Sequence, residues 1–542
     1  MQLSPILQGG SAHNRVRAAI VLCVILIVSG RAIASTDTPV VSESTVTISP
    51  TVINTNMTVP AIEPAKINPL TGIDLLNAPI SPDLASVDAA TAEKLRELLA
   101  TALAQHVDYK DDRSAVETFY RDRGFAPLWI INATPTARAK EAIGFLQGAD
   151  ADALDPADYF TPSFAGVAPE AMAEDEIRLT NSVLTFARHA RTGRVSFTRV
   201  SENISYDLQF PKPAGILATM VESSDIRQAL DSYNPQQAGY KALKTSLTRE
   251  RSQTRSEDTG VRISEKPTLR SGANLKLVTH LNSEARLRSS TIGTIIANME
   301  RWRWLPHDLG EAYVMVNIPD YTLKVVDHER TAWSTRIVVG KVGRMATPLL
   351  SETMKSITIN PTWNVPPSIV RNEYLPALEQ DPDALSRIGL KIQQNRDGSL
   401  RIYQPPGESN ALGHIRFNFP NKFLVYQHDT PNKHLFAKTE RAYSHGCMRV
   451  QDPQKYAEVL LSISQPMEGF TADQIRRFFG VVERTINLKN PIPVHLTYQT
   501  AFVDDAGSLQ IRQDLYGIDK DVIKLLGSRR HIADVPIAQK YN

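Results

Sequence analysis

Two cysteines occur in the 542 residues, and only one of them sits among groups that could use a thiol. Cys447 lies in Tyr443-Ser444-His445-Gly446-Cys447-Met448-Arg449-Val450, and His428 stands nineteen residues upstream in Tyr426-Gln427-His428-Asp429-Thr430-Pro431. The thiolate, not the thiol, is the nucleophile, so a cysteine used in acyl transfer needs a base beside it, and an imidazole is the usual one. A glycine directly before the cysteine leaves room for a substrate carbonyl and lets backbone N–H groups face the developing oxyanion. Cys23 falls in an apolar run, 18–28, and has no such company. On chemistry alone an inert core cysteine competes with this reading.

The surrounding residues resolve the competition. Ser444-His445-Gly446-Cys447-Met448-Arg449 resembles the signature of the L,D-transpeptidase catalytic domain of the YkuD type, and the spacing to His428 belongs to the same pattern. Pro361-Thr362-Trp363-Asn364-Val365-Pro366-Pro367 and Val316-Asn317-Ile318-Pro319-Asp320-Tyr321 are further matches. Arg301-Trp302-Arg303-Trp304-Leu305-Pro306 and the stretch 504–516 are similar to the larger YcbB-like branch, which carries an extra N-terminal scaffold. The resemblance implies Cys447 as nucleophile and His428 as base and later acid. His445, Gly446, Ser444 and Tyr426 would line the oxyanion site, with the N–H groups of Gly446 and Cys447 as donors.

Several roles stay open at this level. Tyr426 shapes the site or packs the core. Arg449 holds a substrate carboxylate or forms a structural salt bridge. Trp363 is a groove wall or a core residue. An imidazole acting as base needs a partner to fix its tautomer. Asp429 points away from His428 if the segment is a strand, which favours a backbone carbonyl. His414 and His434 have no place in the pattern. The stretch 404–421, broken by Pro405, Pro406, Gly407 and Gly413, is the candidate lid over the thioester.

The implied reaction takes a peptidoglycan stem tetrapeptide, releases its terminal D-residue and passes the acyl group to an amine. Candidate acceptors are the side-chain amine of a neighbouring stem or the N-terminus of an outer-membrane protein. Hydrolysis of the same thioester, an L,D-carboxypeptidase activity, is the enzyme alternative, and an inactive wall-binding scaffold is the non-enzyme one. Zinc ligation by His428, His445 and Cys447 lacks a His-Glu-x-x-His helix or paired Cys-x-x-Cys motifs. No metal and no cofactor is implied, since nucleophile, base and donors all come from the chain.

Elements of period two must carry this motif. Residues 313–318, 321–326 and 335–339 alternate as strands, with 327–330 as a turn, and shorter strands are expected at 356–359, 400–403 and 423–426. Helices are expected at 453–461 and 472–479, and farther upstream at 91–100 and 174–191, where Ile177, Val183, Leu184 and Ala187 share one face. The expected class is α+β multidomain: an N-terminal helical scaffold, 86–205, then a β-rich mixed catalytic domain, 291–519. Between them, 206–290 reads as a linker or a reduced peptidoglycan-binding-like region. It holds a basic stretch, eleven Lys/Arg against five Asp/Glu in 241–290. A C-terminal tail is expected at 520–542.

The N-terminus supplies the address. Arg15 and Arg17, the apolar run and Ala32-Ile33-Ala34 have the form of a secretory signal peptide over 1–34, with an uncleaved inner-membrane anchor as the alternative. A Ser/Thr/Pro-rich tether, 35–85, follows. Export to the periplasm fits a chain left with one thiol after cleavage. A formal charge of +2, with 22% charged residues, gives no electrostatic case for nucleic acid as partner. Oligomeric state is not encoded in any motif.

Overall fold

A computed structural model describes residues 72–166, 168–263, 290–396, 398 and 400–527. The expected signal peptide, most of the expected tether and residues 264–289 of the expected linker or peptidoglycan-binding-like region lie outside the described residues. Among the described residues no helix is long and apolar enough to cross a membrane.

The helical part is built from α1 (Gly72–Leu76), α2 (Ser86–Thr101), α3 (Lys110–Asp122), α4 (Ala137–Gln147), α5 (Pro169–Thr192), α6 (Pro213–Glu222) and α7 (Ile226–Asp231), with a small hairpin of β1 (Ile130–Ile131) and β2 (Thr134–Pro135). Pro169 at the first helical position and Glu170 in the first turn start α5; Arg191 sits at its C-terminal end, where the helix dipole favours cations. Its expected apolar stripe is buried, with Ile177, Val183, Leu184 and Ala187 fully enclosed. Glu176 on the same helix is also enclosed, accepting from the Tyr120 hydroxyl at 2.9 Å and the Trp129 backbone N–H at 3.1 Å.

The expected linker differs from what the chain does up to residue 263. α6 and α7 place Ile216, Leu217, Met220, Ile226 and Leu230 in the helical core. The long α8 (Ala238–Ile263) buries Tyr240, Leu243 and Leu247 in the core of the catalytic part. Charged and polar residues obscure a real i, i+3, i+7 apolar stripe in α8. The tether also ends earlier than expected, since Leu75 of α1 is buried. The tail begins later: the helix Ile518–Leu526 packs Ile518 and Val522 into the main core.

A mixed sheet dominates the second half. Its strands are β3 (Ile204–Ser205), β4 (Ala312–Asn317), β5 (Thr322–Asp327), β6 (Arg330–Gly340), β7 (Leu349–Ile359), β11 (Ile415–Asn418), β12 (Gln427–His428), β13 (Ala442–Ser444), β14 (Met448–Val450) and β15 (Arg484–Thr497), and the separate trio is β8 (Trp363–Asn364), β9 (Lys391–Gln394) and β10 (Leu400–Gln404). The order β11-β12-β14-β6-β5-β4-β15-β7 returns to β11 through the β7–β11 pairing, so these strands close on themselves. Val314, Val316, Leu323, Val325, Ile337, Val339, Ile357, Ile359, Ile415, Phe417, Met448 and Val450 belong to the buried core of this part. At the expected 327–330 turn, His328 and Glu329 both take positive φ, which matches a tight β-hairpin. Strand pairing at 423–426 does not occur; the strand there is β12, one step later.

The two parts share one fabric. β3, from the helical side, pairs in parallel with β7. The Tyr206 hydroxyl donates to the Leu496 carbonyl at 2.8 Å, and the Trp304 indole to the Val195 carbonyl at 3.1 Å. Helix 290–302 carries Glu300, which accepts from the Val195 N–H at 2.6 Å. Arg303, fully buried, donates to the Tyr240 hydroxyl at 2.8 Å and pairs with Glu300 at 3.3 Å. The segment 366–388 consists of short helices, Pro367–Ile369, Val370–Tyr374, Leu375–Gln380 and Ala384–Arg387, with Arg387 ion-paired to Asp381.

Candidate active site

Strand register assembles the site. In adjacent strands Arg416 of β11 pairs with His428 of β12, and His428 pairs with Arg449 of β14. One step along β12, Gln427 pairs with Met448 and Phe417, and these turn inward: Gln427 is buried and accepts from the Tyr456 hydroxyl at 2.7 Å. Alternation then puts Tyr426 on the same outward face as His428, and their ring centroids are 5.7 Å apart. The N–H of Met448 donates to the Tyr426 carbonyl at 3.0 Å, which carries the ladder on to Cys447. The result is two rows on the outside of the barrel wall: Arg416, His428 and Arg449 in one, Asn418, Tyr426 and Cys447 in the next.

Cys447 is half-buried and is the free cysteine of the described residues. Burial pushes its thiol up to about 11, against the lowering effect of the Tyr426 N–H and hydroxyl and of the Arg416 and Arg449 charges. Tyr426 interacts through its side chain with both Cys447 and Trp363, so Trp363 joins the site by way of Tyr426, whose own hydroxyl is raised by burial. His428 is buried, and burial followed by the Arg449 charge pulls its imidazole down to about 3. Both groups are therefore neutral at rest. No hydrogen bond joins Cys447 to His428 among the described contacts; the thiol is engaged by Tyr426.

The imidazole is oriented by main-chain carbonyls, as expected. His428 Nδ1 hydrogen-bonds the Asp429 carbonyl, and the Leu412 carbonyl also faces the ring. The Asp429 carboxylate faces elsewhere and accepts from the N–H of His414 at 2.9 Å and of Thr430 at 2.7 Å, with Lys433 as ion-pair partner. Gly413, at φ +60°, packs so closely on this carboxylate that a Cβ would lie 2.4 Å from it.

The turn before the nucleophile is held by Ser444. Its hydroxyl donates to the Cys447 carbonyl at 2.5 Å and accepts from the Gly446 N–H at 3.2 Å. The Gly446 N–H is thus committed within the turn, whereas the Cys447 N–H has no acceptor among the described residues. Gly446 is at φ +113°, a conformation that favours glycine. Its carbonyl accepts from the Thr347 hydroxyl at 2.9 Å, which itself accepts from the Gly340 N–H at 2.8 Å. Gly340 tolerates no side chain, because a Cβ would meet the Met345 carbonyl at 1.9 Å. Tyr516 closes the buttress, donating to the Gly340 carbonyl at 2.7 Å.

The remaining candidates fall as follows. His445 is exposed beside Gly446. Arg449 forms no ion pair among the described residues, and its Nε is buried without a partner, which leaves the salt-bridge alternative without support. His414 stacks on Phe479 with centroids 4.3 Å apart, and His434 is exposed. Among the described residues no group of three or more His, Cys, Asp or Glu side chains could hold a metal ion.

The candidate lid contains a barrel strand. Within 404–421, β11 pairs on both sides, with β7 and β12, and Ile415, Phe417 and Phe419 are core residues. The preceding loop is knotted by Asn410, which is fully buried and donates to the carbonyls of Pro361, Gln404 and Pro405 at 3.0, 3.1 and 2.8 Å. Its Oδ1 accepts from the Leu412 N–H at 2.8 Å and so sets the carbonyl that faces His428. Sequence reasoning missed Arg416, Asn418 and Leu412. Their place depends on pairing between distant strands, and only the alternation Ile415-Arg416-Phe417-Asn418 hinted at it.

Comparison with known proteins matches two family models to the chain. The model of the L,D-transpeptidase catalytic domain, YkuD, matches residues 311–476, and the Scaffold domain model matches 114–247. A Haemophilus influenzae protein named "Putative L,D-transpeptidase" is 29% identical over 242 residues, 42% of this chain and 48% of that protein, so the match spans about half the length of the relative. The Scaffold match runs through α6, α7 and the first part of α8, in line with their burial. The chain therefore carries a YkuD-type L,D-transpeptidase catalytic domain, preceded by a Scaffold domain in an α+β multidomain architecture of the YcbB-like kind.

Proposed function

We propose that the protein is a cysteine-dependent L,D-transpeptidase acting on peptidoglycan stem tetrapeptides in the periplasm. The observation that carries this reading is the shared outward face on which strand register sets Tyr426, His428, Cys447 and Arg449. Cys447 Sγ attacks the carbonyl of the bond to the terminal D-residue, and His428 takes up the thiol proton. The tetrahedral oxyanion is received by the Cys447 N–H, with His445 at its flank. Collapse breaks the C–N bond, His428 returns the proton to the leaving amine, and an acyl thioester remains on Cys447. A side-chain amine of a neighbouring stem then attacks the thioester, loses its proton to His428 and frees the thiol. The product is a crosslink between third residues.

At rest both groups are neutral, and transfer of the thiol proton to the imidazole is uphill in the free protein. With the thiol at about 11 and the imidazole at about 3, charge develops only when substrate displaces water and Cys447 comes within reach of His428. Arg416 and Arg449 then stabilise the thiolate.

The test is incubation of the full-length protein with a disaccharide tetrapeptide, followed by mass spectrometry of protein and products. An acyl adduct on Cys447, a released D-residue and dimers are expected, and Cys447→Ala should give none of them. Tripeptide without dimers would establish hydrolysis in place of transfer, and absence of any adduct on folded protein would remove the reading.

A further inference from the structure

Away from Cys447 and His428, the outer face of β4 and β5 forms the floor of a second cavity, of about 510 Å³, which shares no residue with the acyl-transfer site. Strand alternation sends Val314 and Val316 into the barrel and sets Tyr313, Met315 and Asn317 on this floor. Trp302, the first turn of α8 and the hairpin of Ala501–Val503 with Leu509–Ile511 supply the walls, the hairpin contributing Phe502. A Cβ at Gly239 would lie 2.5 Å from the indole, so that turn of α8 sits directly on Trp302. Trp302 is 6% exposed, and its Nε1 has no hydrogen-bond partner among the described residues. Gln237 Oε1 is likewise enclosed and unpartnered there, while its Nε2 donates to the His307 carbonyl at 2.7 Å. Gln499 is 9% exposed; its N–H donates to Asn317 Oδ1 at 2.9 Å, and its side-chain amide makes no hydrogen bond among the described residues. Buried polar groups are normally paired, so three unpaired ones around a single cavity mark it as a place completed by a polar ligand.

Charge narrows the class of ligand. Most of the ionic groups around the cavity are committed within the chain: Asp320 pairs with Arg512 at 2.6 Å and Lys324 with Asp505 at 3.1 Å. Asp504 and Asp308 accept the N–H groups of Ser508 and Gly310 at 2.9 and 2.8 Å. What is left to meet a ligand is uncharged: an indole N–H, two amide side chains, the Tyr313 phenol and the Phe502 ring. β4 and β5 are each paired on both sides, so neither offers an edge to which an extended peptide could add as a strand. A pyranose ring is the complement, with C–H faces for the aromatic rings and hydroxyl and acetamido groups that both donate to and accept from planar amides. We propose that this cavity binds a neutral N-acetylhexosamine chain, the sugar strand of the polymer whose stems the transpeptidase reading brings to Cys447. That reading supplies only the source of the sugar; the cavity's own groups select its class. A strand held here tethers the enzyme to the wall while stems are exchanged on a separate face.

The test is calorimetric titration of the full-length protein with a stem-free tetramer of N-acetylglucosamine. Binding with a Kd of about 0.1–1 mM is expected. Gln499→Met and Tyr313→Phe keep side-chain bulk, and the latter keeps the ring that packs edge-on against His495 at 5.5 Å, so both should fold as the parent does. Each removes polar groups that face the ligand and should weaken the tetramer about fivefold or more. Glu329→Gln, which alters a carboxylate at the same cavity, should leave the affinity unchanged. Absence of binding at millimolar tetramer, or binding that survives both Gln499→Met and Tyr313→Phe, overturns the proposal. Saturable binding of tetralysine, lost in Glu329→Gln and unaccompanied by sugar binding, overturns it in favour of a cationic peptide. Acylation of Cys447 by a sugar-free tetrapeptide is read separately: sugar binding without an adduct removes the transpeptidase reading alone, and an adduct without sugar binding removes this one alone.

Discussion

Cys447 and His428, the proposed nucleophile and base, are both neutral in the free protein. A thiol at about 11 is only about a thousandth ionised at pH 8, and an imidazole at about 3 cannot charge-assist it in the physiological range. The sign follows directly: alkylation of the free protein by iodoacetamide should climb about tenfold per pH unit from pH 7 to 10, with no plateau near neutrality. Tyr426→Phe removes a donor to the sulfur, so the thiol rises further and the curve moves to higher pH. A plateau reached below pH 8 would mean a resting thiolate–imidazolium pair and would sink this account. The proposed nucleophile and base were legible as candidates because a local motif carries both, and the carbonyl orienter because strand alternation turns Asp429 away from the ring. The commitment of the Gly446 N–H to Ser444 was not legible, since it depends on the turn's hydrogen bonds and not on residue types.

Among the elements, the loop 404–414 and β12 depend on one another. Asn410 shapes the loop, Gly413 lets it lie against the Asp429 carboxylate, and the Asp429 carbonyl holds the imidazole while the Leu412 carbonyl faces it. Gly413→Ala adds a Cβ that must displace Asp429 at a positive φ, a strain of about 1–3 kcal/mol. The expected outcome is a fall of tenfold or more in the acylation rate with the circular dichroism of the barrel retained; an unchanged rate in a folded variant would show that the loop does not position His428. This loop is also where sequence reading strayed. Prolines and glycines at 405–413 signal irregular structure correctly, but the four residues of β11 that follow are too short for period two to stand out. Long strands such as β4 and β5 were found close to their true limits for the opposite reason.

At the scale of the whole molecule, helical and β-rich parts are two cores with a continuous seam. Buried Arg303, Glu300, Tyr240 and Asp152 meet there, with Lys244 paired to Asp152 at 2.7 Å, and β3 extends the catalytic sheet. The domain order was readable from the change of hydrophobic period near residue 311. The seam was not, because it is made by α8, whose apolar residues are spread through a basic, polar stretch. Gly193 shows how tight it is: a Cβ there would lie 2.7 Å from Glu300 Oε1 and 2.9 Å from Trp304 Nε1.

That seam makes the peptide link across 264–289 dispensable for holding the halves together. Fragments 72–263 and 290–527, produced as separate chains, should each be poorly soluble alone, one baring Tyr240, Leu243 and Leu247, the other the groove that receives them. Mixed during refolding, they should recover a single 1:1 complex in gel filtration and thiol reactivity at Cys447 like that of the uncut chain. Two independently monomeric fragments would contradict this. Fragment complementation of this kind makes the assembly a split-protein reporter, in which thiol chemistry on one chain reads out the presence of the other.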